Sequence, residues 1–176
     1  MAARSLPGGP NLGLTKVEVW WQGYGGLGLV QLRGKLKTLL KVADKPEFAI
    51  VHCGGNDIGK VPCKMLRKHV QVVFDLFCEL MPETKVIWSE VLPRSSWRYS
   101  SDNEAMERAR KRLNSFAGKL AITRGGAYLR HTQLCRDWHT FECSDGVHLS
   151  NEGNVVFLNQ IKKGIVQFKL GKQYIV

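Results

Sequence analysis

Two short stretches hold residue types at spacings that could do chemistry: Gly54-Gly-Asn56-Asp57 and Asp145-Gly-Val-His148. Asn56 offers two side-chain N–H donors without a charge, which suits stabilisation of a developing oxyanion. Asp145 stands three residues before His148. At that spacing a carboxylate can accept the imidazole N–H, fix its tautomer and stabilise the imidazolium formed during proton transfer. Each stretch also has a plain reading. Gly-Gly-Asn-Asp is an ordinary turn composition, and Asp-x-x-His also fits a helix N-terminal turn carrying a surface histidine.

Other chemistry-bearing residues are weaker candidates. His52 precedes Cys53 at the end of an apolar run and reads as a packed core histidine. His131, Cys135, His139 and Cys143 invite a zinc reading, but their order does not match the usual paired-ligand patterns, so no metal and no cofactor is expected. Arg94 follows Pro93 at a strand end, where it reads as a solvated loop arginine that could reach an acidic ligand. Trp88, Trp97 and Trp138 could line a pocket or pack in the core.

The elements that must position these residues alternate between strand and helix. Val17 to Trp21 reads as a strand, followed by the turn Gly23-Tyr-Gly-Gly26 and a helix from about Leu27 to Val42 with leucines at helical spacing. Phe48 to Val51 is a short buried strand, and Gly54 and Gly55 let the backbone turn sharply where a side chain would clash. That turn delivers Asn56 and Asp57 to the strand tip, the sheet edge where ligands usually bind. A helix starts near Pro62 and ends before Pro82. Lys85 to Leu92 is a strand, and Asp102 caps a helix reaching about Leu120. Gly125 to Arg130 supplies another strand. A long polar and aromatic loop, His131 to Ser150, leads to a last helix from Ser150 or Asn151 with Val155, Leu158, Ile161 and Ile165 on one face. Strands alternating with helices predict an α/β domain, a mainly parallel sheet covered on both faces. The expected organisation is an irregular segment 1–16, one domain over 17–170 and a tail 171–176.

Length and composition narrow the classes. A chain of 176 residues can bury a core without disulfide staples. No apolar run approaches the ~20 residues of a membrane span, and the first ten residues lack the apolar core of a signal peptide. Five cysteines with no C-x-x-C pair fit a reduced, cytoplasmic chain. The formal charge of +11 raises nucleic acid as a partner, although the basic residues are scattered without aromatic interleaving.

Taken in order, Gly23-Tyr-Gly-Gly26, Gly54-Gly-Asn-Asp57 and Asp145-Gly-Val-His148 resemble the blocks of the SGNH (GDSL-type) hydrolases, a family of esterases and lipases. More loosely, Trp20 to Gly26 and Asp145 to Gly153 are similar to the esterase-like modules of vertebrate retrotransposons. The resemblance implies a three-layer, flavodoxin-like sandwich and a small acyl-ester substrate. It implies Gly26 and Asn56 as oxyanion donors, with Asp145 and His148 as the catalytic acid–imidazole pair. The family's first strand and its nucleophilic serine have no counterpart, so that strand is expected to be absent. Ser5 echoes the motif only superficially, and Ser89 follows a strand without a glycine elbow. The nucleophile is therefore unassigned, and the expectation is a truncated, catalytically impaired esterase domain. The alternative is a non-catalytic binding module that uses its basic surface, with nucleic acid as its partner.

Overall fold

A computed structural model describes residues 9–175. Its centre is a four-stranded parallel sheet in the order β1 (Phe48–Val51), β2 (Lys85–Ser89), β3 (Ala127–Leu129) and β4 (Tyr174–Ile175). β2 shows why the sheet is covered twice. Val86 and Trp88 point into one apolar cluster and Ile87 into another, so the strand must be apolar on both faces. Helices α1 (Leu29–Leu39), α2 (Cys63–Leu80) and α3 (Asn103–Thr123) build the first cluster. Helix α6 (Asn151–Lys169) builds the second. The result is the expected three-layer α/β sandwich.

Local signals place the helix ends. Asp102 accepts the Ala105 N–H at 2.9 Å and Ser150 accepts the Gly153 N–H at 3.1 Å, the side-chain caps of α3 and α6. Along α2, Leu66, Val70, Val73 and Phe77 recur at helical spacing and are all buried. The expected face of α6 holds at Leu158, Ile161 and Ile165 but fails at Val155, which is 42% exposed. Trp88, Trp97 and Trp138 are all buried.

Four expectations need correction. Val17 to Trp21 forms no strand. Its alternate residues Val17, Val19 and Trp21 pack against the α6-side cluster, and the Val19 N–H goes to the Asn11 side chain instead of a sheet ladder. The helix expected over 27–42 is shorter at both ends. The segment His131 to Ser150 contains two short helices, α4 (Thr132–Arg136) and α5 (Trp138–Phe141), which bury Leu134 and Trp138. Within the segment read as a tail, Tyr174 and Ile175 pair with Tyr128 and Leu129 as β4.

Glycine contacts yield a paired test. A Cβ on Gly126 would sit 1.9 Å from the Val86 carbonyl oxygen, whereas one on Gly34, inside α1, meets nothing within 4 Å. Gly34→Ala is expected to stabilise the domain by about 0.5–1 kcal/mol. Gly126→Ala is expected to cost more than about 3 kcal/mol, because backbone of two strands must separate. Urea unfolding of both variants checks the pair, and equal effects would contradict the placement of β3 against β2.

Candidate active site

The candidate site begins at the C-terminal end of β1. Gly54 adopts φ +109°, a conformation reserved for glycine, and its carbonyl accepts the Asp57 N–H at 3.0 Å to close the turn. A Cβ on Gly55 would lie 2.9 Å from Nη2 of Arg94. The guanidinium lies across the turn, close against the bare face of Gly55.

Asn56, at the tip, is held from both ends. Its Nδ2 donates to the Leu27 carbonyl at 3.1 Å, and its Oδ1 accepts from Arg94 Nη2 at 3.2 Å. One Nδ2 hydrogen remains for a ligand. The Leu27 contact brings the neighbouring Gly26 (φ +71°) beside Asn56. Asp57 fastens the same two turns together. Its buried carboxylate accepts the Leu29 N–H at 2.9 Å at the start of α1, where the helix dipole favours negative charge. Burial nevertheless pushes the Asp57 carboxyl up from its ordinary value, opposed chiefly by that N–H.

In the loop before α6, Asp145 folds around its own turn. Oδ1 accepts the N–H groups of Val147 (2.8 Å) and His148 (2.9 Å), and Oδ2 lies 2.6 Å from His148 Nδ1. The His148 ring contact first, and then the two backbone donors, hold the Asp145 carboxyl well below the usual range. With Nδ1 engaged as a donor, His148 Nε2 is left as the acceptor. Both side chains are open to solvent.

The Arg94 loop joins the two halves. Ser95 N–H donates to the Gly146 carbonyl at 2.8 Å, fixing the loop of Asp145 beside that of Arg94. Burial pushes the Arg94 guanidinium below its usual value, and the Asp145 carboxylate opposes that effect. Trp97 supplies a ring face 5.4 Å from the guanidinium carbon. Gly26, Asn56, Asp145 and His148 are thereby linked through Arg94, a residue whose sequence context read as a loop arginine.

The serines are placed differently. Ser5 lies outside the described residues. Ser89 is fully buried, with Oγ 3.0 Å from His52 Nδ1 and 2.8 Å from His131 Nε2. His131 Nδ1 faces Gln160 Oε1 at 2.8 Å. The amide oxygen makes His131 Nδ1 a donor, so Ser89 donates to Nε2 and accepts from His52. His52 is thus no core histidine; it is exposed at the edge of β1 with one nitrogen tied inward. Ser95 donates to Glu142 Oε1 at 2.9 Å, and His139 Nδ1 meets the same oxygen at 2.7 Å. A relay would need the hydroxyl and the carboxylate on opposite ring nitrogens. Cys53 is no substitute, since burial and then Asp57 push its thiol up to about 12. The four residues of the zinc reading have separate partners: His131 faces Ser89, Cys135 Arg110, His139 Glu142 and Cys143 the Leu149 carbonyl.

Neither a protein-family model nor a curated protein matches the sequence. Solved structures do. A Streptococcus pneumonia protein, provisionally described as a platelet activating factor, superposes with a TM-score of 0.71 at 20% identity, over 91% of this chain and 78% of its own. A GDSL-like lipase from Bacteroides thetaiotaomicron matches at 0.68 and 18%, over 84% and 75%. The chain has a GDSL-type hydrolase fold. A family 3 carbohydrate esterase from Clostridium thermocellum matches it at 0.66 and 17%, over 85% and 70%. No helix among the described residues is long and apolar enough to cross a membrane.

The histidines on either side of Ser89 have a pH consequence. Burial lowers His131 from 6.5 to about 4. Burial, His131 and Arg94 lower His52 too, though its partial exposure at the β1 edge weakens that effect. Between pH 6.5 and 4 the unfolded chain binds a proton at position 131 that the folded chain does not. Stability therefore falls as pH drops through that window, by on the order of 3 kcal/mol from His131. Urea melts at pH 7 and pH 4 should show the fall, and His131→Gln should shrink it. An unchanged pH dependence in the variant would contradict the buried neutral imidazole.

Proposed function

We propose that the crevice at the C-terminal edge of the sheet binds a carboxylic ester and stabilises the oxyanion formed when its carbonyl is attacked. The observation that carries this reading is the Arg94 bridge, which sets a side-chain amide and an acid–imidazole pair on one rim. The backbone N–H of Gly26 and the spare Nδ2 hydrogen of Asn56 are the oxyanion donors. His148 Nε2 takes the proton from the attacking oxygen, and Asp145 keeps the ring in the accepting tautomer and stabilises its cation. The esterases and lipases that share the fold support this assignment.

The proposal includes impairment. Among the described residues no serine hydroxyl hydrogen-bonds to His148, and Ser89 is closed off between two imidazoles. Water is then the nucleophile. His148 removes one of its protons as the oxygen adds to the carbonyl carbon; the tetrahedral intermediate expels the alkoxide, which leaves with that proton. In a related triad, removing the nucleophile costs about 10⁶ in kcat, while the oxyanion site and binding retain roughly 10³–10⁴ over water.

For this chain, p-nitrophenyl acetate hydrolysis is expected near the lower of those levels, with no burst and no labelling by a fluorophosphonate. Asn56→Ala should bring the rate close to buffer, whereas His148→Ala should remove only the base's share and leave the part supplied by the oxyanion site and binding. Rapid turnover with a burst and a labelled serine would refute the impairment. Equal rates in chain and variants would refute the crevice.

Arg94 is assigned as a positioning residue. Arg94→Ala releases Asn56 Oδ1 and lets the amide rotate. About a tenfold loss in kcat with little change in KM is expected, since one neutral–charged hydrogen bond of ~1.5–3 kcal/mol orients the donor. A rise in KM alone would place Arg94 in ester binding instead.

A further inference from the structure

Beyond α3, at the β3–β4 edge, a second cleft of about 500 Å³ shares no residue with the crevice around Asn56. Two tyrosines form one wall. Tyr128 and Tyr174 are register partners on adjacent parallel strands, so their rings leave the sheet on the same face about 5 Å apart. Tyr128 is wedged against α3, where a Cβ on Gly118 would lie 2.5 Å from its ring. Tyr174, beside it, is 65% exposed and presents an open aromatic surface.

The rest of the lining is cationic, with five Lys and Arg side chains against two carboxylates. The carboxylates are already engaged. Glu107 takes the Arg110 guanidinium fork at 2.6 and 2.7 Å, and Glu90 accepts the His131 N–H at 3.0 Å and lies 3.6 Å from Arg110. Lys111 leans on Glu107 and Arg136 on Asp137. Lys119 and Arg130 make no ion pair among the described residues. Two cations without an ion pair among the described residues, beside an exposed aromatic ring, suit an anion that carries its own flat ring.

We propose that this cleft binds a nucleotide phosphate, with the base against Tyr174 and the phosphate between Lys119 and Arg130. Bare phosphate would fill little of the volume and leave the tyrosine unused. Base–aromatic stacking and cation–phosphate attraction are the two contacts that hold a nucleotide without reading its sequence. The formal charge of +11 adds a long-range field that draws such an anion in. A free nucleotide and a segment of single-stranded nucleic acid offer the same chemistry, and the assay separates them.

The full chain, ¹⁵N-labelled, is titrated with AMP, with a single-stranded ten-nucleotide uridine RNA and with inorganic phosphate, at two salt concentrations and with no ester present. Backbone signals of the cleft should shift with AMP or RNA, and the affinity should fall as salt rises. Lys119→Gln with Arg130→Gln is expected to weaken binding at least tenfold. Tyr174→Ala should weaken it at least fivefold, the low end of a stacking contact, while Tyr174→Phe keeps both the β4 packing and the affinity. RNA binding tighter than AMP with a steeper salt dependence identifies the strand as the ligand; equal affinities identify the nucleotide. Phosphate binding as tightly as AMP, a double variant that binds like the parent, or no saturation by either nucleotide arm would overturn the proposal. Because no ester is involved, failure here is distinct from failure of the hydrolase reading.

Discussion

A half-buried guanidinium is the constraint around which the crevice is arranged. Removing a cation from water costs several kcal/mol unless partners replace the lost hydration. Arg94 has three compensating groups: the Asn56 amide oxygen in a hydrogen bond, the face of Trp97, and the charge of the Asp145 carboxylate beyond ion-pair distance. Each partner comes from a different part of the chain. Satisfying one side chain therefore ties the turn after β1, the loop after β2 and the loop before α6 into one rim. The orientation of Asn56 follows, because an amide whose oxygen faces a guanidinium must present its nitrogen elsewhere.

A second clamp works underneath. Asp57, buried at the N-terminus of α1, holds the turn of Gly26 against the turn of Asn56. The glycines nearby reflect close approach as much as backbone freedom: a Cβ on Gly28 would lie 2.5 Å from Asp57 Oδ1, and one on Gly55 would meet Arg94. Asn56 and Asp57 thus divide the labour within one tetrapeptide. The amide bridges the Leu27 carbonyl and Arg94, and the acid holds the start of α1.

Much of this was legible from residue order. The apolar run before Gly54, the helical spacing in α2 and the caps Asp102 and Ser150 are local signals, and local physics sets them. The blocks around Asn56 and His148 could be read because each is a short peptide with its own turn chemistry. What could not be read depends on contacts between distant segments. Nothing around Arg94 in the sequence announces that Gly55, 39 positions earlier, leaves room for it. His52 read as core because it follows Val51, yet it stands just past the end of β1, an edge strand among the described residues, and its side chain reaches solvent while Val51 stays buried. The segment Val17 to Trp21 alternates as a strand should, but alternation only fixes which face is apolar. It does not secure a ladder partner.

The tyrosine-walled cleft and the Asn56 crevice lie on separate parts of the molecule, and the two could operate independently. What unites the Asn56 and His148 turns is the electrostatic link from Asp145 through Arg94 to Asn56. The most direct test is the NMR signal of the Asn56 side-chain amide in the chain and in Asp145→Asn, with the Gln71 amide as an internal control. Removing the carboxylate should shift the Asn56 amide while Gln71 stays fixed. An Asn56 amide that does not respond would mean that the two halves do not share one crevice.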